Sequence, residues 1–163
     1  MAFVSVTRLR IASPLVYPWA LWRSLLAARQ AARALGLIDG KLLRDRGRVL
    51  WTATAWDERA AMRLYRDGGL HQALMPKLVR WCDEAAVAHW LQEGAELPGW
   101  DEVARRIQQD GRASRVRRPS PDHQAFRIAP VRAHGLTREL PLSVFRGRSS
   151  EAPLKAPAAD RPL

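Results

Sequence analysis

Three observations predict an α+β domain built on one antiparallel four-stranded sheet. Apolar residues alternate along four stretches and recur at helical spacing between them. Glycine, proline and aspartate stand where the period changes. The stretch from Val49 to Trp56 is uncharged on both of its faces, so both sides of the sheet need cover.

Phe3 to Arg10 is the first expected strand, with Phe3, Ser5, Thr7 and Leu9 on one face and Val4 and Val6 on the other. Pro14 and Pro18 suit the approach to a helix, where a missing N–H costs little. Leu21, Leu25, Ala28, Ala32 and Leu35 then form one helical stripe, and Gly36 is placed to end it. Leu37 to Arg46 reads as the second strand, with a bulge expected at Gly40, and Asp45 to Gly47 as a tight turn. Arg48 to Trp56 is the third strand. Asp57 is expected to cap a helix that carries Met62 and Tyr65 on one face and stops at Gly68-Gly69. Leu70 to Cys82 is helical in pattern, but Pro76 argues for two pieces. Glu84 to Gln92 is the fourth strand, and Pro98 to Gly111 a final helix with Val103, Ala104 and Ile107 at helical spacing. The order β-α-β-β-α-β is the ferredoxin-like arrangement. Its helices cover one sheet face, and the simplest cover for the other is a second copy of the same sheet. The expectation is therefore a homodimer, a dimeric α/β barrel whose sheets enclose an apolar space.

The chain has 163 residues and a formal net charge of +11. Most of that charge, and most of the eleven prolines, fall beyond residue 110. Residues 111–163 contain no tryptophan or tyrosine, so little apolar area is on hand to offset the entropy of ordering them. The expected division is a folded domain over 1–110 and a flexible, basic Pro/Arg-rich tail over 111–163. Cys82 is the single cysteine, which excludes an intrachain disulfide. No signal-peptide pattern and no apolar run long enough for a membrane span is read, so the expected location is cytoplasmic. Arg112, Arg115, Arg117 and Arg118 form a basic patch with little aromatic interleaving. It reads as a solvated tail, and nucleic acid is not the expected partner.

The run Thr52-Ala-Thr-Ala-Trp56-Asp-Glu, with Ala60, Ala61, Met62, Tyr65 and then Arg66-Asp-Gly-Gly-Leu-His71, resembles the third strand and second helix of the dimeric α/β-barrel superfamily. That superfamily includes the antibiotic-biosynthesis-monooxygenase-like domains. The run, with Trp81 and Glu84 before the last strand, is most similar to spheroidene-monooxygenase-like proteins. The resemblance spans about residues 1–92. It implies a monooxygenase-like oxidoreductase acting on a small or apolar organic substrate. It also implies a heme ligand role for His71, although the residues by themselves name no cofactor. A cofactor-free version, in which the substrate itself activates oxygen, occurs in the wider superfamily that the run resembles and is also open. The heme-degrading branch places asparagine, tryptophan and histidine where this chain has Ser5, Tyr65 and Met75, so that branch's chemistry is not expected.

The candidate site residues are His71 and Tyr65, with Trp56, Tyr65 and Met75 lining a substrate pocket. Each has a plainer reading. His71 serves equally as a helix-start residue that fixes a loop through backbone hydrogen bonds, and Tyr65, Trp56 and Met75 as core. His89 reads as a barrel or interface residue, Cys82 as a buried inert thiol, and Trp19 and Trp22 as packing on the sheet. No metal-ligand spacing exists among His71, His89, His123 and His134. The alternative function is a non-catalytic dimeric ligand-binding or structural domain.

Overall fold

The computed structural model describes residues 1–133 and 138–146. The elements run β1 (Ala2–Ile11), α1 (Tyr17–Ala32), β2 (Leu37–Asp45), β3 (Val49–Trp56), α2 (Arg59–Arg66), α3 (Gly69–Trp81), β4 (Cys82–Gln92), α4 (Trp100–Asp110), β5 (Arg112–Ala113), α5 (Pro121–Gln124) and β6 (Glu139–Pro141), followed by a 3-10 turn over Leu142–Phe145. The expected ferredoxin-like order is present, and the sheet is antiparallel. It has six strands in the order β5-β4-β1-β3-β2-β6, not four.

Three local expectations change. The buried side of α1 is Ala20, Ala27, Ala28, Ala31 and Ala32, while Leu35 lies beyond the helix and is exposed. Small residues let α1 come close to the sheet, a choice that hydrophobicity alone does not mark. The register slip in β2 falls between Leu37 and Asp39, not at Gly40. Gly40 is needed for another reason: a Cβ there would lie 2.2 Å from Cδ1 of Leu142. Finally, α3 is continuous through Pro76. Pro76 cannot bond the carbonyl of Gln72, but both residues are exposed, so water takes that carbonyl.

The register places even-numbered β1 residues with odd-numbered β3 residues, as in Val4 opposite Ala55 and Val6 opposite Ala53. This side of the sheet is fully buried: Val4, Val6, Trp51, Ala53 and Ala55 have no exposure. Its cover comes from the same chain. Val103, Ala104 and Ile107 of α4, with Phe126, Ile128, Val131 and Ala133 beyond α5, complete that core. The apolar face from which a second copy was expected is therefore filled in cis, and it supplies no reason for a homodimer.

The same contacts correct the expectation of a flexible tail from residue 111. Residues 111–133 and 138–146 are laid over the sheet and its edges. Polar groups hold them. The N–H of Arg117 donates to Val79 and that of Ser120 to Asp83. Gln108 donates to the carbonyl of Phe126 and accepts from the N–H of Ile128. The side chain of Asp45 accepts the N–H of Arg132. Arg146 donates to the carbonyls of Ala32, Leu37 and Ile38, closing the C-terminal end of α1. The remainder of the expected tail, 134–137 and 147–163, lies outside the described residues.

A charged cluster sits under this cover. Arg8 and Glu84 are both buried and pair at 2.5 Å. Ser120 donates to Glu84 at 3.0 Å, and Arg10 makes two bonds to Asp83 at 2.9 and 2.8 Å. Removing water from two charges costs several kcal/mol per ion, so such a pair adds little net stability, while losing one partner is costly.

Candidate active site

The other sheet face looks toward α1, α2 and α3. Phe3, Trp56 and Met62 bury one end of it and Ile11, Ala20 and Cys82 the other. Between them runs a half-buried strip of Ser5, Thr7, Thr52, Thr54, Val87 and His89. Thr54 donates to the carbonyl of Ser5 at 3.1 Å and accepts the indole N–H of Trp56 at 2.9 Å.

Three of the four expected site residues meet. Trp56 ends β3 and is wholly buried. The ring of Tyr65, from α2, stacks on it with centroids 5.3 Å apart. His71, from the first turn of α3, tilts against Tyr65 with centroids 4.8 Å apart. Met75 is 44% exposed and belongs to no part of this stack.

Hydrogen bonds fix each ring. The Tyr65 hydroxyl donates to the carbonyl of Ala27 at 3.1 Å. Burial raises its pKa, so the phenol stays neutral. His71 Nδ1 lies 3.0 Å from the carbonyl of Arg66, an acceptor, so Nδ1 carries the proton and the lone pair is on Nε2. Burial lowers the His71 pKa, against the raising effect of that same bond. The imidazole is thus neutral near pH 7.

The residue that organises the loop is Gln30, which sequence reasoning missed. Its side-chain oxygen accepts the N–H of His71 at 3.0 Å, and its NH2 donates to the carbonyl of Gly68 at 3.0 Å. Gly69 has φ +56, and a Cβ there would approach Gln30 Nε2 to 3.0 Å. The positive φ favours glycine here, and a Cβ would press on the Gln30 amide as well. The signal in the sequence is an uncharged polar residue beside the alanine stripe of α1, on the side that meets the α2–α3 turn.

A groove of about 670 Å³ opens between α1 and α2, with Leu26, Leu35, Ala61, Leu64, Tyr65 and Leu70 as its apolar wall and Arg29 and Arg33 among its lining. A second, much smaller cleft of about 10 Å³ continues past Leu26 and Leu70 toward Arg23 and Lys77. Trp56, His71 and Met75 line neither. Tyr65 therefore joins the buried stack to the groove. Elsewhere, His89 stacks on Phe3 at 5.7 Å, and burial, then Arg112, Arg59 and Arg66, lower its pKa. The Cys82 thiol is buried and pushed up to about 12, which leaves it unreactive.

Several solved structures share this fold over part of the chain. An antibiotic biosynthesis monooxygenase superposes with a TM-score of 0.51 at 14% identity, covering 58% of this chain and 100% of that one. The chain carries the fold of the antibiotic-biosynthesis-monooxygenase-like proteins. A Mycobacterium tuberculosis protein gives 0.53 at 11% identity, covering 58% and 97%, and a conserved protein from Methanosarcina mazei gives 0.52 at 12%, covering 57% and 94%. These structures correspond to just over half of the chain, and the likeness is one of fold alone. No family model and no curated protein matches the sequence.

Proposed function

We propose that this protein is a monooxygenase-like oxidoreductase that takes a small, apolar organic substrate into the α1–α2 groove, against the exposed side of Tyr65. The observation that carries the reading is that one neutral aromatic stack, Trp56–Tyr65–His71, backs the wall of an apolar groove of about 670 Å³ in this fold. The resemblance of the Tyr65-to-His71 run to the spheroidene-monooxygenase branch supports an apolar substrate as well. Arg29 and Arg33 suit a polar or anionic end on an otherwise apolar molecule.

Heme was implied for His71, and the donor itself is suitable: a neutral imidazole with Nδ1 fixed by a carbonyl and Nε2 free to ligate. Its surroundings do not fit. The ring packs against Tyr65 and lines neither of the two grooves, so neither of them brings a porphyrin onto this residue. The reading therefore relies on the other implied version, in which an electron-rich substrate itself reduces oxygen. The chain would then supply a water-poor apolar wall, a fixed neutral phenol and cations at the rim.

Oxygen uptake by the purified protein with a panel of phenolic and polyene substrates tests this. The expected result is uptake with at least one of them, lost in Leu64→Arg, which fills the groove with charge. Substrate binding without oxygen uptake, seen by quenching of tryptophan emission, would instead establish the non-catalytic ligand-binding alternative. A homodimer is no part of this proposal, because the groove is built from one chain.

A further inference from the structure

The surface around the groove is unusual in two respects. It is apolar: Trp19, Trp22, Leu35, Leu64 and Leu70 are exposed, with the two tryptophans at 49% and 47% and Leu64 at 78%. Scattered exposed apolar residues need no explanation, but contiguous ones do. These are contiguous. Leu26 and Leu70 line both grooves, Arg23 lines the second, and the Arg23 guanidinium lies over both tryptophan rings at 5.1 and 5.5 Å. The rings themselves are 5.0 Å apart. The tryptophans thus do not pack on the sheet.

The surface is also one-signed. Residues 1–38 and 68–82 contain no aspartate or glutamate, while α1, its end and α3 carry Arg23, Arg29, Arg33, Lys77 and Arg80. Of the acids flanking these elements, Asp67 after α2 is taken by Arg66 at 2.6 Å and Asp83 after α3 by Arg10 at 2.8 Å. Arg23 Nε is shielded from water and has no acceptor among the described residues.

We propose that the α1–α3 face docks on an anionic lipid surface, with Trp19 and Trp22 at headgroup depth and the arginines on lipid phosphates. A tryptophan pair is apolar over most of its area and carries one donor at its edge, which suits the interface between headgroups and chains. Arginine stems extend along apolar surface while their guanidiniums meet phosphate, and Arg29 and Arg33 are exposed for that contact. No described helix is long and apolar enough to cross a membrane, so this contact is peripheral. It places the mouth of the α1–α2 groove at the bilayer. Resting on the function proposed above, it identifies the substrate as an apolar molecule dissolved in lipid.

Co-sedimentation of the full chain with phosphatidylcholine vesicles, with and without phosphatidylglycerol, tests the docking without any substrate. The expected result is partition onto the phosphatidylglycerol vesicles with a blue shift of tryptophan emission. The double variant Trp19→Ser, Trp22→Ser reduces partition by about tenfold or more, and Arg29→Glu with Arg33→Glu does the same. Both pairs are at the surface, so thermal melts confirm that the variants fold. Trp19→Tyr with Trp22→Tyr retains binding. Absence of partition by the wild-type chain overturns the proposal. So does equal partition of wild type and the serine variant, since the net charge of +11 alone would then explain it. Self-association broken by the serine variant, with no vesicle binding, overturns it in favour of a second copy on this face. Failure here leaves groove binding intact, whereas loss of groove binding in Leu64→Arg with partition retained separates the two readings the other way.

Discussion

Asp45, the last residue of β2, holds the backbone N–H of Arg132 at 3.1 Å from each of its carboxylate oxygens, across 87 positions of sequence. The same carboxylate accepts the indole N–H of Trp51 at 3.1 Å. One buried acid thus ties the sheet core to the segment that covers it. Asp45→Ala leaves the buried indole N–H of Trp51 and the part-buried N–H groups of Arg46 and Arg132 without this acceptor and should cost about 1 to 3 kcal/mol. Chemical denaturation followed by tryptophan emission reads that loss directly.

Deleting everything after residue 110 leaves α4 in place but removes Phe126, Ile128, Val131 and Ala133 from the core that holds Val4, Val6, Trp51 and Ala53. The full chain should be monomeric by light scattering, and the 1–110 fragment should self-associate or precipitate. A full-length dimer that persists in dilute solution would mean that some other surface pairs.

Gly69→Ala strains a backbone at φ +56 and displaces Gln30, which releases both His71 and Gly68. The expected destabilisation is about 1 to 3 kcal/mol. Hydrogen exchange should rise first at the start of α3. Gln30→Ala should loosen the same turn without the backbone strain, so its exchange pattern matches while its melting temperature falls less.

Burial holds the His71 pKa below its ordinary value, so the unfolded chain takes up a proton before the folded one does. The stability linked to neutral His71 is complete above about pH 6.5 and is lost as pH falls from there through the folded pKa. His89 is shifted in the same direction and adds to the effect. His71→Gln should therefore flatten, but not abolish, the fall in melting temperature on acidification. Proton-detected titration of the two imidazoles checks the assignment.

The order of the first six elements is legible because its signals are local: alternation in β1, β3 and β4, Pro18 at the start of α1, and the Asp45–Gly47 turn, where Gly47 and Arg48 take positive φ. The meeting of Trp56, Tyr65 and His71 is legible from the same run that carries the family resemblance. What lies beyond residue 110 is not. Ile128, Val131 and Ala133 are single apolar residues among arginine and proline, with no period to mark them. Their burial depends on a sheet face formed more than 70 residues earlier. Met75 and Pro76 mislead for a related reason. Both lie on the solvent side of α3, where an apolar residue and a missing N–H are tolerated, and a sequence stripe does not state which side of a helix meets water.

The two outermost strands, β5 and β6, have only two and three residues, yet each lies along a longer strand, β4 on one side and β2 on the other. Exposed strand edges are templates for pairing with another chain, and natural sheets blunt them. Arg112 leads one of these caps and Pro141 ends the other, and a proline has no N–H with which to extend a ladder. The C-terminal third thereby guards the sheet sideways as well as from above. A sheet sealed this way is protected from growing edge to edge into aggregates, and a cut or mutation that frees either short strand would first show itself as loss of solubility.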